Sequence, residues 1–411
     1  MRHFALTLLL ALALLAAPLR ALAQGDDPAC DAVLQDAITS IFDRCAAMDG
    51  PMACAASGDV TFAPAPPDGA PPFVPLADLT ALDAAAIDGG WSVARMNVAG
   101  PQTPDQMAVL MIFGPVTLTF EAAPGLTPGA AFTLSSTPDA SACGNLPQPG
   151  VLVQAPDKAL TLLRVNGIDL AINGTALIQA LEGEGTTISA ITRETILGDT
   201  GVVVFAGYSV TVQDGTIGDV TYYDPARVAN LPTVILPRMD LVPAPGSGSV
   251  TEQTVLHLRP AANAYTGNTV KVGLPVNALG QDSSGEWLYI HVYDGRTGWV
   301  PRSAIAEDFA PDMPVFDEAP AQPSRPFGPV YARGVTTSQL NNLRAGPGET
   351  YDIVAQLEGE EPLQVYGRDP DGNWLLVQTA DGLRAWISAS LFRASTPFLP
   401  DELPVAPDAA N

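Results

Sequence analysis

The sequence predicts a mainly β protein with a short N-terminal helix, a β-sandwich region, and two small β-barrels joined by Pro-rich linkers. Three observations support this fold class. β-branched and aromatic residues occur in short runs bounded by Gly-containing turns, which is typical of β-hairpins. One pattern of Trp, Gly and aliphatic residues occurs twice in the last third of the chain. Proline-rich stretches separate these regions and predict linkers between them.

The repeated pattern predicts two units near the C terminus. Each copy has a Leu-Arg pair, a Gly-x-Trp strand, an Asp-Gly turn and a closing Trp, and the two tryptophans of each copy are 12 residues apart. The matched residues, earlier copy first, are Leu258-Arg259 and Leu343-Arg344, Trp287 and Trp374, and Trp299 and Trp386. Because Gly tolerates the positive φ of tight turns, the Asp-Gly sites indicate hairpins and each copy is expected to form a barrel.

Side-chain alternation predicts candidate ligand-binding residues on these strands. Successive side chains of a strand point to opposite faces, so the strand that begins at Trp287 has one aliphatic and one aromatic face. The aliphatic face consists of Leu288, Ile290 and Val292. The candidate ligand-binding residues are Trp287, Tyr289, His291, Tyr293 and Trp374. The later copy has a poorer aromatic face, so the first barrel is favoured as the ligand site. Trp299 and Trp386 are expected in the barrel cores.

The later copy resembles the bacterial SH3-like (SH3b) domain in its Leu-Arg-Ala-Gly-Pro-Gly opening at 343–348 and its Gly-Asn-Trp strand. The resemblance covers 250–306 (SH3b domain 1) and 331–393 (SH3b domain 2). The first copy departs from the family pattern, since it has Pro260-Ala261-Ala262-Asn263 where the Gly-Pro-Gly turn belongs. The resemblance implies small SH3-like barrels that bind cell-wall glycan, a peptide or an extracellular protein.

The first 23 residues predict a secretory signal peptide. A short basic start is followed by the apolar run Phe4–Pro18 and by Ala21-Leu22-Ala23, a triplet that suits signal peptidase. The run is too short for a membrane span, and no other stretch reaches the length that a spanning helix needs. A secreted or cell-envelope location, without a membrane span, is therefore expected.

Four cysteines follow in the exported part, Cys30, Cys45, Cys54 and Cys143. An even count in an exported chain predicts disulfides, and the sequence leaves all three pairings open. Apolar residues at four-residue spacing predict an amphipathic helix over 30–48, within a Cys-bearing segment at 24–60. No metal site is expected, because histidine is absent between residues 4 and 256 and no Cys-x-x-Cys occurs.

Two β regions are predicted in the middle of the chain. Residues 61–75 hold six prolines and are expected to be an extended connector to a β-rich domain at 76–146. Turn pairs such as Asn166-Gly167 and Asp214-Gly215 then recur at short intervals over 150–236. The runs 160–167, 173–179 and 201–212 are similar to the FecR-like β domain, which implies a β fold here. The membrane and cytoplasmic parts of that family are absent, so its signalling role does not carry over.

The remaining segments are predicted to be linkers. Residues 237–249 contain a Gly-Ser-Gly-Ser run, 307–330 are rich in proline and acids, and 394–411 form a Pro-rich acidic tail. Such compositions predict flexible connections and a disordered tail, with the domains as semi-independent beads.

Charge and histidine content limit the function. The net charge is −25, which disfavours nucleic acid as a partner. After the leader only His257 and His291 remain, and no nucleophile-elbow, zinc-protease or phosphate-loop motif occurs. No catalytic residue, metal or cofactor is therefore expected. The prediction is a non-enzymatic protein whose SH3b domains bind cell-wall glycan or peptide, or an extracellular protein. The alternatives are that they target a cell-wall hydrolase with an unrecognised catalytic domain, or that all modules are structural parts of a surface assembly.

Overall fold

The computed structural model describes residues 28–406 except 46, 68, 86–90, 102–105, 138–142, 144–145, 157–158, 239, 258, 263–265, 294–295, 317–331, 380–382 and 395–402. The predicted signal peptide lies outside these residues. The fold is mainly β, as predicted, with one long helix and three sheets. Among the described residues, no helix has the length and apolar character needed to cross a membrane.

In the described residues, the N-terminal unit contains two helices, and its sixteen strands form one sheet. The long helix α1 spans Pro28–Arg44 and a short helix α2 spans Pro225–Val228. The strands are β1 (Met52–Ser57), β2 (Val60–Ala63), β3 (Phe73–Pro75), β4 (Ala81–Ala84), β5 (Val93–Ala99), β6 (Met107–Phe113), β7 (Val116–Phe120), β8 (Ala131–Ser136), β9 (Gly150–Gln154), β10 (Thr161–Val165), β11 (Ile168–Gln179), β12 (Thr186–Leu197), β13 (Val202–Phe205), β14 (Tyr208–Gln213), β15 (Thr216–Ile217) and β16 (Thr221–Tyr222).

This sheet joins the three regions that the sequence separated. β9 pairs with β6 on one side and with β11 on the other, and β10 runs parallel to β8. The boundaries at 60, 76 and 146–150 are therefore wrong as domain boundaries, and the connector at 61–75 contains β2 and β3. The reason is that buried strands satisfy their backbone groups on both edges, and the partners come from distant parts of the chain. One core fills the inside of the curled sheet, and a second lies beneath α1.

Two disulfides attach α1 to the sheet. Cys30 is bonded to Cys143, 113 residues further along the chain, and Cys45 is bonded to Cys54 in β1. Residues Ala37, Ile41 and Cys45 form the buried face of the helix. The disulfide prediction is thus confirmed, and the structure selects one of the three pairings.

The C-terminal third forms two seven-stranded units, here called the first and second barrels. The first barrel consists of β17 (Gly246–Val250), β18 (Thr254–His257), β19 (Thr266–Val270), β20 (Pro275–Gln281), β21 (Trp287–Val292), β22 (Thr297–Pro301) and β23 (Ile305–Phe309). The second consists of β24 (Ala332–Thr336), β25 (Asn341–Arg344), β26 (Ile353–Leu357), β27 (Pro362–Arg368), β28 (Trp374–Thr379), β29 (Arg384–Ser388) and β30 (Phe392–Ala394). Corresponding strands occupy the same positions in both sheets, in the orders β19-β18-β22-β21-β20-β17-β23 and β26-β25-β29-β28-β27-β24-β30.

The register of the repeat differs from the sequence alignment by two residues at its opening. His257 pairs with Trp299 as Arg344 pairs with Trp386, so His257, and not Arg259, is the counterpart of Arg344. Arg344 donates to the Tyr351 carbonyl oxygen at 2.7 Å and braces its own loop. The Leu-Arg pair at 258–259 matched the family pattern by composition, but the strand pairing follows the buried positions instead.

The segment 237–249 is not a linker throughout, because β17 begins at Gly246. Gly248 pairs with Val276 and Gly334 pairs with Leu363, so the two glycines are equivalent. A Cβ on Gly248 would lie 2.9 Å from the Ala306 carbonyl oxygen. The Gly-Ser-Gly-Ser run therefore permits close strand packing, whereas its composition had indicated a flexible linker.

The expected linker at 307–330 and the expected tail at 394–411 each contribute a short segment to a barrel. We call Met313–Phe316 the first strap and Leu403–Ala406 the second strap. The Gln281 N–H donates to the Pro314 carbonyl oxygen at 2.9 Å, and Arg368 makes the same bond to Pro404 at 2.9 Å. The structural repeat thus extends past both predicted ends, although 317–331, 395–402 and 407–411 lie outside the described residues.

The first barrel packs directly on the N-terminal unit. The Gly246 N–H donates to the Gly207 carbonyl oxygen at 3.0 Å, and the Asn277 amide donates to the Ala206 carbonyl oxygen at 2.8 Å. The Tyr208 hydroxyl donates to the Asp308 carboxylate at 3.1 Å. These bonds contradict the expectation of an independent bead at this junction, since they link the backbone and side chains of both units.

Candidate functional site

The aromatic face predicted on the first barrel is covered by its own strap. The Phe316 ring lies edge-on to Tyr289 and Trp299, with ring centroids 5.9 and 5.4 Å apart. Tyr289 is only 3% exposed as a result. Its interpretation as a stacking platform is therefore wrong, because a ligand cannot reach the face of a ring that is already buried. Trp299 is fully buried, as predicted for a core residue.

The other candidates on this barrel also have internal contacts. Trp287 is half-buried and its ring lies edge-on to His257, with centroids 5.0 Å apart. His291 lies opposite Asn277, whose side chain bonds to the N-terminal unit. Tyr293 donates to the Glu194 carboxylate and accepts from the Asn173 amide at 3.3 Å. Tyr293 therefore belongs to the junction with the N-terminal unit, and is not available as a ligand contact.

The junction keeps the Tyr293 phenol protonated. Partial burial, together with the hydrogen bond to the Glu194 carboxylate, raises the pKa of Tyr293 to about 12. A phenolate beside a carboxylate would place two like charges together, so the neutral donor is favoured. The aromatic residues at 289 and 293 are thus structural, which alternation alone could not reveal because it does not show what covers a face.

The corresponding surface of the second barrel is more accessible. We call Tyr366, Trp374, Leu376 and Arg384 the outer face. Tyr366, Trp374 and Leu376 are half-buried and Arg384 is exposed, while Leu375 and Val377 point into the core. The Arg384 guanidinium lies over the Tyr366 ring, 4.5 Å from its centroid. Aromatic rings with an adjacent guanidinium are typical of recognition surfaces.

The difference between the two surfaces arises from the straps. Ala406 occupies the position that Phe316 has in the first barrel, because each donates its N–H to the same strand position. A methyl group covers less surface than a phenyl ring, so Leu376 is half-buried where its counterpart Tyr289 is buried. The sequence pattern favoured the first barrel, but the exposure of this face favours the second. Trp374 is half-buried there, as is its counterpart Trp287 in the first barrel.

Two outer-face residues, Tyr366 and Arg384, were missed by sequence reasoning. Tyr366 lies at a β-bulge, where Val365 pairs with Val377 and Gly367 pairs with Leu376. The bulge interrupts strict alternation, so no two-residue pattern identifies the face of Tyr366. Arg384 could have been found from its position opposite Gln378 across the hairpin.

An aspartate organises the turn before each Gly-x-Trp strand. Asp282 accepts a hydrogen bond from the Trp287 N–H at 2.8 Å, and Asp369 accepts one from the Trp374 N–H at 2.8 Å. Burial acts to raise the pKa of Asp282, but hydrogen bonds from Ser284 and the backbone outweigh it and lower the pKa. Burial raises the pKa of Asp369, and its hydrogen bonds do not offset that effect. The turn that begins at Asp369 therefore positions the backbone of Trp374 through this hydrogen bond.

Two clefts in the N-terminal unit are weaker candidates. One of about 400 Å³ includes Asp83 and Thr117, and one of about 430 Å³ includes Asp169. Thr117 donates to Asp83 at 2.6 Å, and Arg164 forms an ion pair with Asp169 at 2.6 Å. These carboxylates already have partners within the unit. In the part of the chain that the structure describes, no group of three or more His, Cys, Asp or Glu side chains is arranged to hold a metal ion.

Comparison with known proteins supports the second barrel as a recognised domain. Residues 338–392 match the family model described as "Bacterial SH3 domain". No curated protein matches the chain. Among solved structures, NlpC2 and NlpC1 from Trichomonas vaginalis are similar at 10% and 11% identity, each with a TM-score of 0.14. The alignments cover 36% of this chain and 47% and 45% of those chains. TM-scores this low are no argument for a shared fold or activity. What the comparisons identify is a bacterial SH3 domain at 338–392.

Proposed function

We propose that this is a non-enzymatic, extracytoplasmic protein whose second barrel binds bacterial cell-wall material through its outer face. The observation that carries the proposal is the partly exposed face of Tyr366, Trp374 and Leu376 within the segment that matches the bacterial SH3 domain. The two disulfides support an oxidising location. The first barrel, closed by Phe316 and attached to the N-terminal unit, would serve as a second SH3b-like module that holds the scaffold and the binding barrel together.

The outer face suits a sugar or peptide ligand. Trp374 and Tyr366 provide flat apolar surfaces, and Arg384 provides hydrogen-bond donors beside them. Trp, Tyr and Arg are the residues that most often dominate binding energy, and the aromatic rings among them bury a large area with little loss of conformational freedom. Partial burial also fixes the Trp374 ring before a ligand arrives, which lowers the entropic cost of binding.

The proposal is tested by co-sedimentation of the purified full chain with insoluble bacterial cell walls. We expect the wild-type protein to be retained, and Trp374→Ala to weaken retention about 30-fold, as for an interface anchor worth about 2 kcal/mol. The matched control is Trp287→Ala, the same substitution at the equivalent position of the first barrel, which should leave retention unchanged. Circular dichroism verifies that both variants remain folded.

Two outcomes would overturn the proposal. Absence of wild-type retention at low and moderate salt would contradict wall binding, and equal losses in both Trp variants would contradict the choice of barrel. The soluble fraction from the same assay also tests the non-enzymatic part, because release of wall fragments with time would identify a hydrolase.

A further inference from the structure

One cation on the outer face has no acidic partner among the described residues. Arg384 is exposed and stacks on Tyr366 at 4.5 Å, while the other ion pairs of the second barrel involve Arg393 with Glu360 at 2.7 Å and Asp371 with Arg259 of the first barrel. This cation–π contact holds the guanidinium in place over the ring. Arg384 is therefore oriented but not neutralised by a carboxylate of that part of the chain.

Polar donors extend from Arg384 across the neighbouring strands. Gln378 pairs with Arg384, and Gln364 pairs with Gln378, so the three side chains form a row across β29, β28 and β27. The Tyr366 hydroxyl donates to Gln364 Oε1 at 3.0 Å. That bond uses the amide oxygen, so the amide nitrogen of Gln364 is the end left to act as a donor. We call these three residues the donor row.

The donor row is specific to the second barrel. The equivalent positions of the first barrel are Asn277, His291 and Thr297, which pair with one another in the same order. Asn277 uses its amide to bind the N-terminal unit, at 2.8 Å from the Ala206 carbonyl oxygen. The second barrel thus has a guanidinium where the first has a hydroxyl, although the chain as a whole carries a net charge of −25.

We propose that the donor row binds a carboxylate group of the cell-wall peptide, with Arg384 as the charged contact and the Gln364 amide as a supporting donor. This inference rests on the proposed function. A planar guanidinium matches a carboxylate through two parallel N–H···O bonds, and the Gln364 amide supplies a donor on the same side of the sheet. Trp374, on the same face, would pack against the adjoining part of the ligand.

The experiment compares retention of the full chain on untreated cell walls and on cell walls whose carboxyl groups have been converted to primary amides. Because the protein is strongly acidic, amidation removes repulsion and would strengthen nonspecific retention. The donor row predicts the opposite sign, a loss of about tenfold or more on amidated walls. High salt should weaken retention on untreated walls, since the contact is exposed and ionic.

Variants assign the effect to the row. Arg384→Gln should lower retention on untreated walls about tenfold and should abolish the difference between the two wall preparations. Arg393→Gln is the matched control, because it removes the same charge from the same barrel at a residue paired with Glu360. It should behave like wild type. Arg384→Lys keeps the charge but lacks the planar fork, and should give an intermediate loss.

The outcomes separate this inference from the proposed function. Equal or stronger retention on amidated walls, with Arg384→Gln unchanged, would overturn the carboxylate site while wall binding stands. Failure of the wild-type protein to bind either preparation would overturn wall binding itself. Equal losses in Arg384→Gln and Arg393→Gln would show a general charge effect and would also overturn the donor row.

Discussion

Removal of the first strap's ring, by Phe316→Ala, is the sharpest test of how the first barrel is closed. The ring is half-buried against Tyr289 and Trp299 and lies over Gly280, where an added Cβ would be 2.1 Å from Phe316 Cε1. The phenyl ring thus rests on a position that has no side chain. We expect its loss to expose Tyr289 and to loosen β20–β22.

The magnitude follows from area and ring contacts. Burial of about half of a phenylalanine side chain contributes about 1–1.5 kcal/mol. Each of the two edge-on ring pairs adds about 0.5–1.5 kcal/mol beyond that area. The local free energy of unfolding should therefore fall by about 2–4.5 kcal/mol. Since 1.4 kcal/mol corresponds to a factor of ten, amide exchange governed by this opening should accelerate about 30- to 2000-fold.

Hydrogen-exchange mass spectrometry of peptides from 275–301 measures this change, with peptides from 362–388 of the second barrel as an internal reference. Val315→Ala is the control, because that side chain is 59% exposed and lies in the same strap. It should change the exchange rates less than threefold. An effect of Phe316→Ala equal to that of Val315→Ala, or confined to the strap itself, would refute the account of the strap as the closing element.

Three further predictions concern the disulfides, the turn carboxylates and the junction. Replacing both cysteines of the Cys30–Cys143 disulfide by serine should lower the free energy of unfolding by about 5 kcal/mol, because the disulfide closes a loop of 113 residues. The same replacement of Cys45 and Cys54 should cost about 2.5 kcal/mol, because that loop spans 9 residues. Urea denaturation measures both changes. Asp282 has a lowered pKa, so it stabilises the first barrel above the ordinary carboxyl pKa, and this stabilisation is lost on acidification. Asp369 has a raised pKa, so its contribution to stability is largest when the carboxyl is protonated and is lost as the pH rises. Carbon-13 NMR titration should find Asp282 titrating at a lower pH than Asp369. Tyr293→Phe removes the hydrogen bond to the Glu194 carboxylate of the N-terminal unit and should weaken the junction by about 1.5–3 kcal/mol. Hydrogen exchange should become faster in the N-terminal unit and in the first barrel near this contact, and unchanged exchange would contradict it.

Local patterns predicted the secondary structure well. The predicted helix over 30–48 is observed at Pro28–Arg44. The alternation that placed Leu288, Ile290 and Val292 on one face is confirmed, since all three are fully buried. These features depend on periodicity within one element, and periodicity is present in the sequence itself.

Partnerships between distant segments could not be predicted in the same way. Nothing near Gly150 indicates that β9 lies between β6 and β11, because strand pairing depends on shape and on backbone hydrogen bonds that all sequences share. Composition was also misleading at Gly248: it indicated a flexible linker, whereas the small residue permits close packing of neighbouring strands. Prolines at 314 and 404 suggested linkers, yet a proline carbonyl accepts a strand hydrogen bond as well as any other.

The sequence by itself determined the β class, the presence of a repeat, the disulfide-bearing N-terminal part and the core positions of each barrel. Each of these is written in residue type and spacing. Only the tertiary structure decided the disulfide pairing, the union of three regions into one sheet, and which aromatic face is covered. Phe316 and Ala406 stand at equivalent positions, far along the chain from the strands that they touch, so the accessibility of Tyr289 and of its counterpart Leu376 depends on a contact that no local pattern encodes.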